Sequence, residues 1–331
     1  MAYAVGDTIS NSDYNGLLNN TAANTPNAGV AARGINYIAG TGAGTYGLGQ
    51  TELNTVGATE TIQAAQWTSL FTFMNNIQNH TNASALTSTA AVSAGDTIAI
   101  KAALETDLNA LASVLSSGSG YTPSALTTSS ALQTSTTTTQ WYNSFTSTFT
   151  ITFTNADQMR WFFNAGGRVR IVPARTGNGN TAGTANAKDD AWTAMYAAVG
   201  NFDIGAHTAT RSGTGEALTT DGSALGFHDL LTSDQTLIKL TDTTAPYTAN
   251  TFEVLARLNA AVGTAVTMTV TVISLDGAAD DTYNNATPTA NVTVDRNGIH
   301  THTLFSLNPN TTEGLASVYA PSSTGATPTV V

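Results

Sequence analysis

The chain contains no cysteine, so disulfide frameworks, thiolate metal sites and cysteine nucleophiles are all excluded, while the redox compartment stays open. Charge is scarce as well: Asp, Glu, Lys and Arg together make up 10% of 331 residues. Positive charge is scarcest, with Lys101, Lys188 and Lys239 the only lysines and a net charge of −11. Neutralising phosphates takes clustered Lys and Arg, so no nucleic-acid partner is expected. Long apolar runs are missing too: nothing approaches the roughly 18 residues of a spanning helix, and "MAYAVGDTISNSDYNG" has neither the basic nor the apolar region of a signal peptide. The expectation is a soluble chain without membrane insertion that is not exported by the usual route.

What the sequence does have is uncharged polarity. Hydrophobic residues reach 41% and roughly a sixth of the chain is Thr, so the wet surface must be built from Thr, Asn, Ser and Gly rather than from ions. Thr favours strands and solvates a surface without charge. Such a composition suits a secreted or particle-borne structural protein better than a cytosolic enzyme. The length allows two or three domains, each with its own core.

Hydrophobic periodicity divides the chain. In Thr59–Asn79, residues Trp67, Leu70, Phe71, Met74 and Ile77 recur at helical steps, with Thr59, Ile62 and Gln63 marking a start. From about Thr97 to Ser116, Leu104, Leu108, Leu111 and Leu115 form a short heptad seam; it either packs on the first helix of the same chain or joins copies together. Gly-Asp-Thr-Ile occurs twice, at Gly6–Ile9 and Gly95–Ile98, as an internal duplication or an accident of composition. After the first copy, Ser10 or Ser12 can cap a helix beginning near Asp13. The stretch "GTGAGTYGLGQT" from Gly40 to Thr51 follows no convincing strand and has no Lys-Ser/Thr, so it reads as a compact loop and not as a nucleotide-binding fingerprint.

Residues 116–140 are small, polar and nearly chargeless, the composition of a connector. Beyond them the period becomes two: Phe145, Ser147, Phe149, Ile151 and Phe153 alternate with threonines. Ala265–Leu275, Ala290–Leu307, Phe252–Leu258 and Thr236–Leu240 are further strand candidates, and Asn297-Gly298 has hairpin-turn chemistry. The fold expected is α+β and multidomain: a helical docking or oligomerisation region with Gly-rich loops over 1–120, a Ser/Thr-rich linker over 121–140, and an antiparallel β-sandwich over 141–331.

At the start of the β region, "NADQMRWFFNAGGRVRI" (Asn155–Ile171) reads as a capped helix, a glycine stop and a strand. Asn155 and Gln158 stand at capping-box spacing, Met159, Phe162 and Phe163 make a stripe for packing onto a sheet, and Gly166 or Gly167 ends the helix. Arg168 and Arg170 fall on the opposite strand face from Val169 and Ile171, either solvated and salt-bridged or facing a neighbouring subunit. A phosphate site is excluded, because it needs the amides of a helix N-terminus and these glycines follow a C-terminus.

Three segments, "VGDTISNSDYNGLLNN", "GTGAGTYGLGQ" and "TNADQMRWFFNAGGRVRI", resemble structural proteins of tailed bacteriophages, particularly virion proteins of phages that infect cyanobacteria. The resemblance spans about half the chain. It implies a non-enzymatic virion component, tail-fibre or baseplate-associated, that assembles with other virion proteins, attaches to a host surface and brings no catalytic residues. A head-decoration or neck protein, and a glycan-binding or glycan-degrading virion protein, are the alternatives. A homotrimer is expected from the leucine seam together with the fibre analogy.

His300-Thr-His302 is similar to the His-x-His pairs that hold iron at some trimeric fibre tips. Alternation places both imidazoles on one strand face, so a threefold axis would gather six; the other reading is two histidines on a wet face. No other cofactor is indicated. Asp276–Asp281, "DGAADD", is either an acidic surface turn or a Ca²⁺ loop without EF-hand spacing. Trp141, Tyr142, Trp192 and Tyr196 either stack on sugars or pack the sheet. No Gly-x-Ser-x-Gly elbow or His-Glu-x-x-His is present.

Overall fold

The computed structural model describes residues 10–19, 34–81, 85–88, 101–117, 126–138, 141, 143–176, 187–207, 219–221, 225–278, 282–284, 291–293, 297–309, 321–325 and 329–330. Both Gly-Asp-Thr-Ile copies lie outside these residues, as do Tyr142, Asp280 and Asp281. The chain divides into two compact units: Met1–Thr127, Asn155–Gly167 and Asn308–Ala320 form one, and Thr128–Thr154, Arg168–Leu307 and Pro321–Val331 the other. The division therefore departs from a single linker at 121–140: residues 155–167 belong with the helical unit even though strands of the second unit flank them.

In the first unit, α1 (Asn11–Leu18) starts at Ser10, which caps it in a reciprocal box with Asp13. The Ser10 hydroxyl accepts from the Asp13 amide at 3.3 Å and the Asp13 carboxylate accepts from the Ser10 amide at 3.2 Å, satisfying two groups that a helix start otherwise leaves bare. α2 (Ile35–Ala39), α3 (Ala64–Thr81) and α4 (Lys101–Ser117) follow. Trp67, Leu70, Phe71, Met74 and Ile77 of α3 are all buried, as the helical spacing requires. Asn15 and Asn36 use their amides as a strand would use its backbone: Asn15 bonds both main-chain groups of Val56 at 2.8 and 2.9 Å, and Asn36 those of Leu53 at 2.8 and 2.9 Å.

Leu104, Leu108, Leu111 and Leu115 are between 0% and 5% exposed and belong to one core with Trp67, Leu70, Phe71 and Ile77. The seam is thus consumed within the chain, and its reading as a surface for self-association is corrected. Leu111→Ala is expected to cost about 2–5 kcal/mol of stability without altering the oligomeric state. Denaturant unfolding beside sedimentation measures both; dissociation with unchanged stability would contradict the assignment.

α5 (Ala156–Asn164) completes this unit. Its N-cap, Asn155, accepts from the Gln158 amide at 2.8 Å. At the other end Gly166 adopts φ +90°, and the amides of Gly166 and Gly167 return to the carbonyls of Phe163 and Phe162 at 3.0 and 2.8 Å. That paired closure is a Schellman stop, which needs a left-handed residue where glycine stands. The polar positions of α5 clasp the glycine-rich loop. Arg160 and Trp161 donate to the Thr41 carbonyl at 2.6 and 3.0 Å, and Asn164 donates to those of Thr45 and Gly47 at 3.1 and 2.8 Å. The loop presents these carbonyls because Gly42, Gly44, Gly47 and Gly49 all take positive φ.

The second unit carries the sheets. Its strands, with the one residue pair at its border, are β1 (Thr127–Thr128), β2 (Gln133–Thr136), β3 (Ser144–Thr152), β4 (Arg168–Thr176), β5 (Phe202–Ile204), β6 (Thr219–Asp221), β7 (Gln235–Thr241), β8 (Thr251–Leu258), β9 (Thr267–Leu275), β10 (Thr282–Asn284), β11 (Asn291–Thr293), β12 (Ile299–Asn308), β13 (Ser322–Gly325) and β14 (Thr329–Val330); α6 (Ala187–Val199) lies between β4 and β5 in sequence. One sheet runs β1-β12-β4-β5 with β2 also on β12, a second runs β13-β3-β9-β8-β7-β6 with β14 also on β3, and β10 pairs with β11. The registered pairings are all antiparallel. The chain is therefore a mixed α+β protein with antiparallel sheets.

Period-two alternation explains the burial. Phe145, Ser147, Phe149 and Ile151 of β3 face inward while the threonines between them face out. Thr152, Thr150 and Thr148 stand opposite Thr267, Thr269 and Thr271 of β9, a chargeless outer row of cross-strand hydroxyl and methyl pairs. Among the described residues the hairpin expected at Asn297-Gly298 is not seen: β12 pairs with β2 and β4, and β11 pairs with β10. Asn297 instead bridges to Trp141.

Candidate functional site

The residues with the most site-like chemistry meet in the buried interior of the second unit. β12 lies between β2 and β4 and turns His300 and His302 inward, while β3 and β9 bring Ser147 and Ser274, and α6 brings Trp192 and Tyr196. Both histidines are 0% exposed. They lie on one strand face, as alternation requires, but that face is dry.

The polar contacts form a continuous line. The Ser147 hydroxyl is 2.8 Å from His302 Nδ1, and His302 Nε2 is 3.1 Å from Ser274 Oγ. Ser274 Oγ is 2.6 Å from the Tyr196 hydroxyl, which is 2.7 Å from His300 Nδ1. His300 Nε2 has no hydrogen-bonding partner among the described residues. Its ring meets those of Trp141 and Trp192 edge to face, at 4.9 and 5.3 Å between centroids.

That end assigns a direction to the whole line. A proton on His300 Nε2 can face aromatic π density, whereas a bare lone pair there would be buried without a donor. His300 Nδ1 then accepts from Tyr196, Tyr196 accepts from Ser274, Ser274 accepts from His302 Nε2, and His302 Nδ1 accepts from Ser147. From His302 to His300 each member gives one proton and takes one, with Ser147 as the donor that starts the line, so both imidazoles are neutral Nε2 tautomers. Burial supports the neutral forms: it holds His300 well below the ordinary histidine range, since a proton there would also be repelled by one on His302 and by the Arg175 guanidinium, and it lowers His302 to about 3. The Tyr196 hydroxyl is likewise pushed up by burial.

A second cluster adjoins the first. Lys188 pairs with Asp276 at 2.6 Å with both side chains buried. Asn297 donates to Asp276 at 2.7 Å and to the Trp141 carbonyl at 3.2 Å, and accepts from Trp192 Nε1 at 2.7 Å. Burial raises the Asp276 carboxyl, against the opposing pull of Lys188 and Asn297. Arg175 pairs with Asp189 of α6 and also donates to Thr193 at 3.1 Å.

No protein-family model matches the chain, and no curated protein or solved structure matches it. Function therefore rests on this geometry and on the composition.

The geometry changes several expectations. Iron at a threefold axis would need both imidazoles at the surface with free lone pairs; here they are enclosed, and three of their four nitrogens are engaged with hydroxyls of the same chain. The wet-face reading fails for the same reason. Among the described residues no group of three or more His, Asp or Glu is placed to hold a metal ion. Asp276 is not part of an acidic surface turn, because Lys188 and Asn297 hold it in the interior. Trp141, Trp192 and Tyr196 are 0%, 1% and 5% exposed, so they pack the interior and do not stack on sugars. The Ser147–His302 contact has the spacing of a nucleophile and its base, and both side chains are 0% exposed.

Arg168 and Arg170 are also accounted for within the chain. Arg170 forks onto Asp203 of β5 through bonds of 2.6 and 2.8 Å, and Arg168 reaches the same carboxylate at 3.7 Å. Asp203 is 1% exposed, so the pair cross-links β4 to β5, and its reading as a subunit contact is replaced by an internal one. Asn297 and Ser274 had no sequence signal beyond turn chemistry and strand position. Only the meeting of distant strands and α6 reveals them as junctions of the network.

Proposed function

We propose that this protein is a non-enzymatic structural component of a phage particle, of the tail-fibre or baseplate-associated type, with a helical unit followed by a β-sandwich. The observation that carries this reading is the contrast between interior and exterior. Arg160, Arg168, Arg170, Arg175 and Arg257, all the arginines among the described residues, face carboxylates of the same chain. The histidines, tryptophans and serines with chemical potential are enclosed in the second unit, and its outer strands show threonine.

Such an exterior offers hydroxyl, amide and methyl groups, suited to extensive weak contacts repeated over many copies rather than to one strong site. Among the described residues it shows no cationic patch for nucleic acid or an anionic membrane, and no described helix is long and apolar enough to cross a bilayer. The sandwich reading is supported by His302, whose hydrogen bonds join β12 of one sheet to β3 and β9 of the other. Assembly with other virion proteins and attachment to a host-surface glycan extend the same reading. Antibody labelling of intact particles seen by electron microscopy is expected to place the chain on the tail or baseplate. Labelling confined to the head would overturn that position, and no labelling of any particle would overturn the virion reading itself.

A further inference from the structure

One buried pair of charges in the second unit takes no part in the histidine line. Lys188 stands in the first turn of α6 and Asp276 just past the end of β9, and their side chains are 2% and 0% exposed. Lysine is almost never enclosed to this degree, and the attraction within a buried ion pair recovers little beyond the cost of taking its two charges out of water.

A third group stands on the same oxygen. Asp276 Oδ2 is 2.6 Å from Lys188 Nζ and 2.7 Å from Asn297 Nδ2. An indole N–H only donates and a main-chain carbonyl only accepts, so Trp192 Nε1 at 2.7 Å identifies Asn297 Oδ1 and the Trp141 carbonyl at 3.2 Å identifies Nδ2. The amide is thus oriented with its oxygen on a donor and its nitrogen on the carboxylate. Asn297, Trp141 and Trp192 are at most 1% exposed, so amine, carboxylate and amide meet in a buried, aromatic-walled site.

The geometry points to a self-formed amide bond between Lys188 Nζ and Asn297 Cγ, with Asp276 as the catalytic carboxylate. The Lys188 ammonium first gives a proton to Asp276, leaving a neutral amine beside a neutral acid. The Nζ lone pair attacks Asn297 Cγ to form the new C–N bond, and the carbonyl electron pair moves onto Oδ1, where the Trp192 N–H stabilises the developing charge. Asp276 passes its proton to Nδ2 and takes another from Nζ. The electron pair on oxygen then returns, the Cγ–Nδ2 bond breaks with its electrons on nitrogen, and ammonia leaves. An ammonium, a carboxylate and a primary amide become a secondary amide, a carboxylic acid and ammonia, with no other reactant. Burial raises the Asp276 carboxyl, favouring the acid form that the attack requires and the product keeps.

Amines attack amides slowly in water; a site that holds the two together and strips the amine of water supplies what is missing. The product leaves neither charge in the interior. It also ties α6 to the residues before β12 in a chain with no cysteine, restricting the unfolded chain as a disulfide would. The reaction occurs once per chain and does not depend on where the protein resides.

Denaturing mass spectrometry of the purified full-length chain reads the result. The mass, with or without Met1, is expected to fall short of the sequence by one ammonia, and digestion is expected to release a branched peptide joining Lys188 to Asn297. Asp276→Asn, similar in shape but unable to relay the proton, is expected to keep its full mass. A parent chain at full mass would overturn the proposal. Loss of one water with a link from Lys188 to Asp276 would do the same, as would loss of one ammonia without the branched peptide, the outcome of Asn297 cyclising onto Gly298. A branched peptide formed equally well in Asp276→Asn would overturn the role given to the carboxylate. The deciding measurement is made on the parent, so a misfolded variant does not obscure it.

Discussion

Replacing His302 by alanine is expected to destabilise the second unit by about 3–5 kcal/mol, the loss typical of removing a large buried ring. The ring stacks on Phe145 at 4.2 Å between centroids with an interplanar angle of 23°, so its removal leaves a void beside an aromatic that cannot collapse freely. It also strands two hydroxyls: Ser147 loses the bond to Nδ1 and Ser274 the bond to Nε2, and an unpaired buried polar group costs about 1–3 kcal/mol. His302→Phe separates the two effects, because it refills the volume without restoring the bonds; an intermediate loss of about 1–3 kcal/mol is expected. Urea unfolding with hydrogen exchange on β12 and β3 reports both. Stability of both variants within about 0.5 kcal/mol of the parent, the range of ordinary surface substitutions, would show that the line of hydrogen bonds does not hold the sheets together.

The second large effect is acid sensitivity. His302 titrates at about 3 when folded and at the ordinary 6.5 when unfolded, and His300 is also well below its ordinary value. Between those limits the unfolded chain binds protons that the folded interior refuses, so stability falls as pH drops below about 6.5 and continues to fall towards about 3. A displacement of that size corresponds to about 5 kcal/mol for His302 alone. His80 in the first unit is lowered too, chiefly by burial, and acts in the same direction. Asp276 works the other way: burial raises its carboxyl, so the folded state takes up its proton more readily as the carboxylate range is entered. The two histidines set the sign at mildly acidic pH, above that range. Urea midpoints measured from pH 7.5 down to 4 should fall steadily in the parent and more gently in His302→Phe. A flat profile in the parent would refute the neutral pair.

Much of the local architecture was legible in the residues because it depends on short-range physics. The α3 stripe from Trp67 to Ile77, the caps at Ser10 and Asn155, the glycine stop at Gly166 and the alternation of β3 all follow from periods of 3.6 and 2 and from the unpaired groups at helix ends. Each needs only neighbours within a few residues. Asn297-Gly298 marks the limit of that reasoning. Its composition is right for a hairpin, but Asn297 is drawn into bonds with Trp141, Trp192 and Asp276, and tertiary partners outweighed the local turn preference.

The site-like residues were the least legible, because period two says that His300 and His302 share a face but not whether that face is wet. Leu104, Leu108, Leu111 and Leu115 pose the same question in helical form, since a heptad seam looks alike whether it meets its own chain or a copy. Arg168 and Arg170 require knowing that Asp203, more than thirty residues on, lies on the adjacent strand.

By itself the sequence determined the exclusions and the periods: no thiol chemistry, no cationic surface, helices first and threonine-faced strands after, because these depend on composition and on neighbours along the chain. Only the tertiary structure decided which faces are dry, since burial depends on what arrives from elsewhere. β3, β9 and α6 enclose the histidine pair and make two candidate metal ligands into neutral links of a buried hydrogen-bonded line, because an imidazole sealed from water is held more cheaply uncharged and paired than ionised.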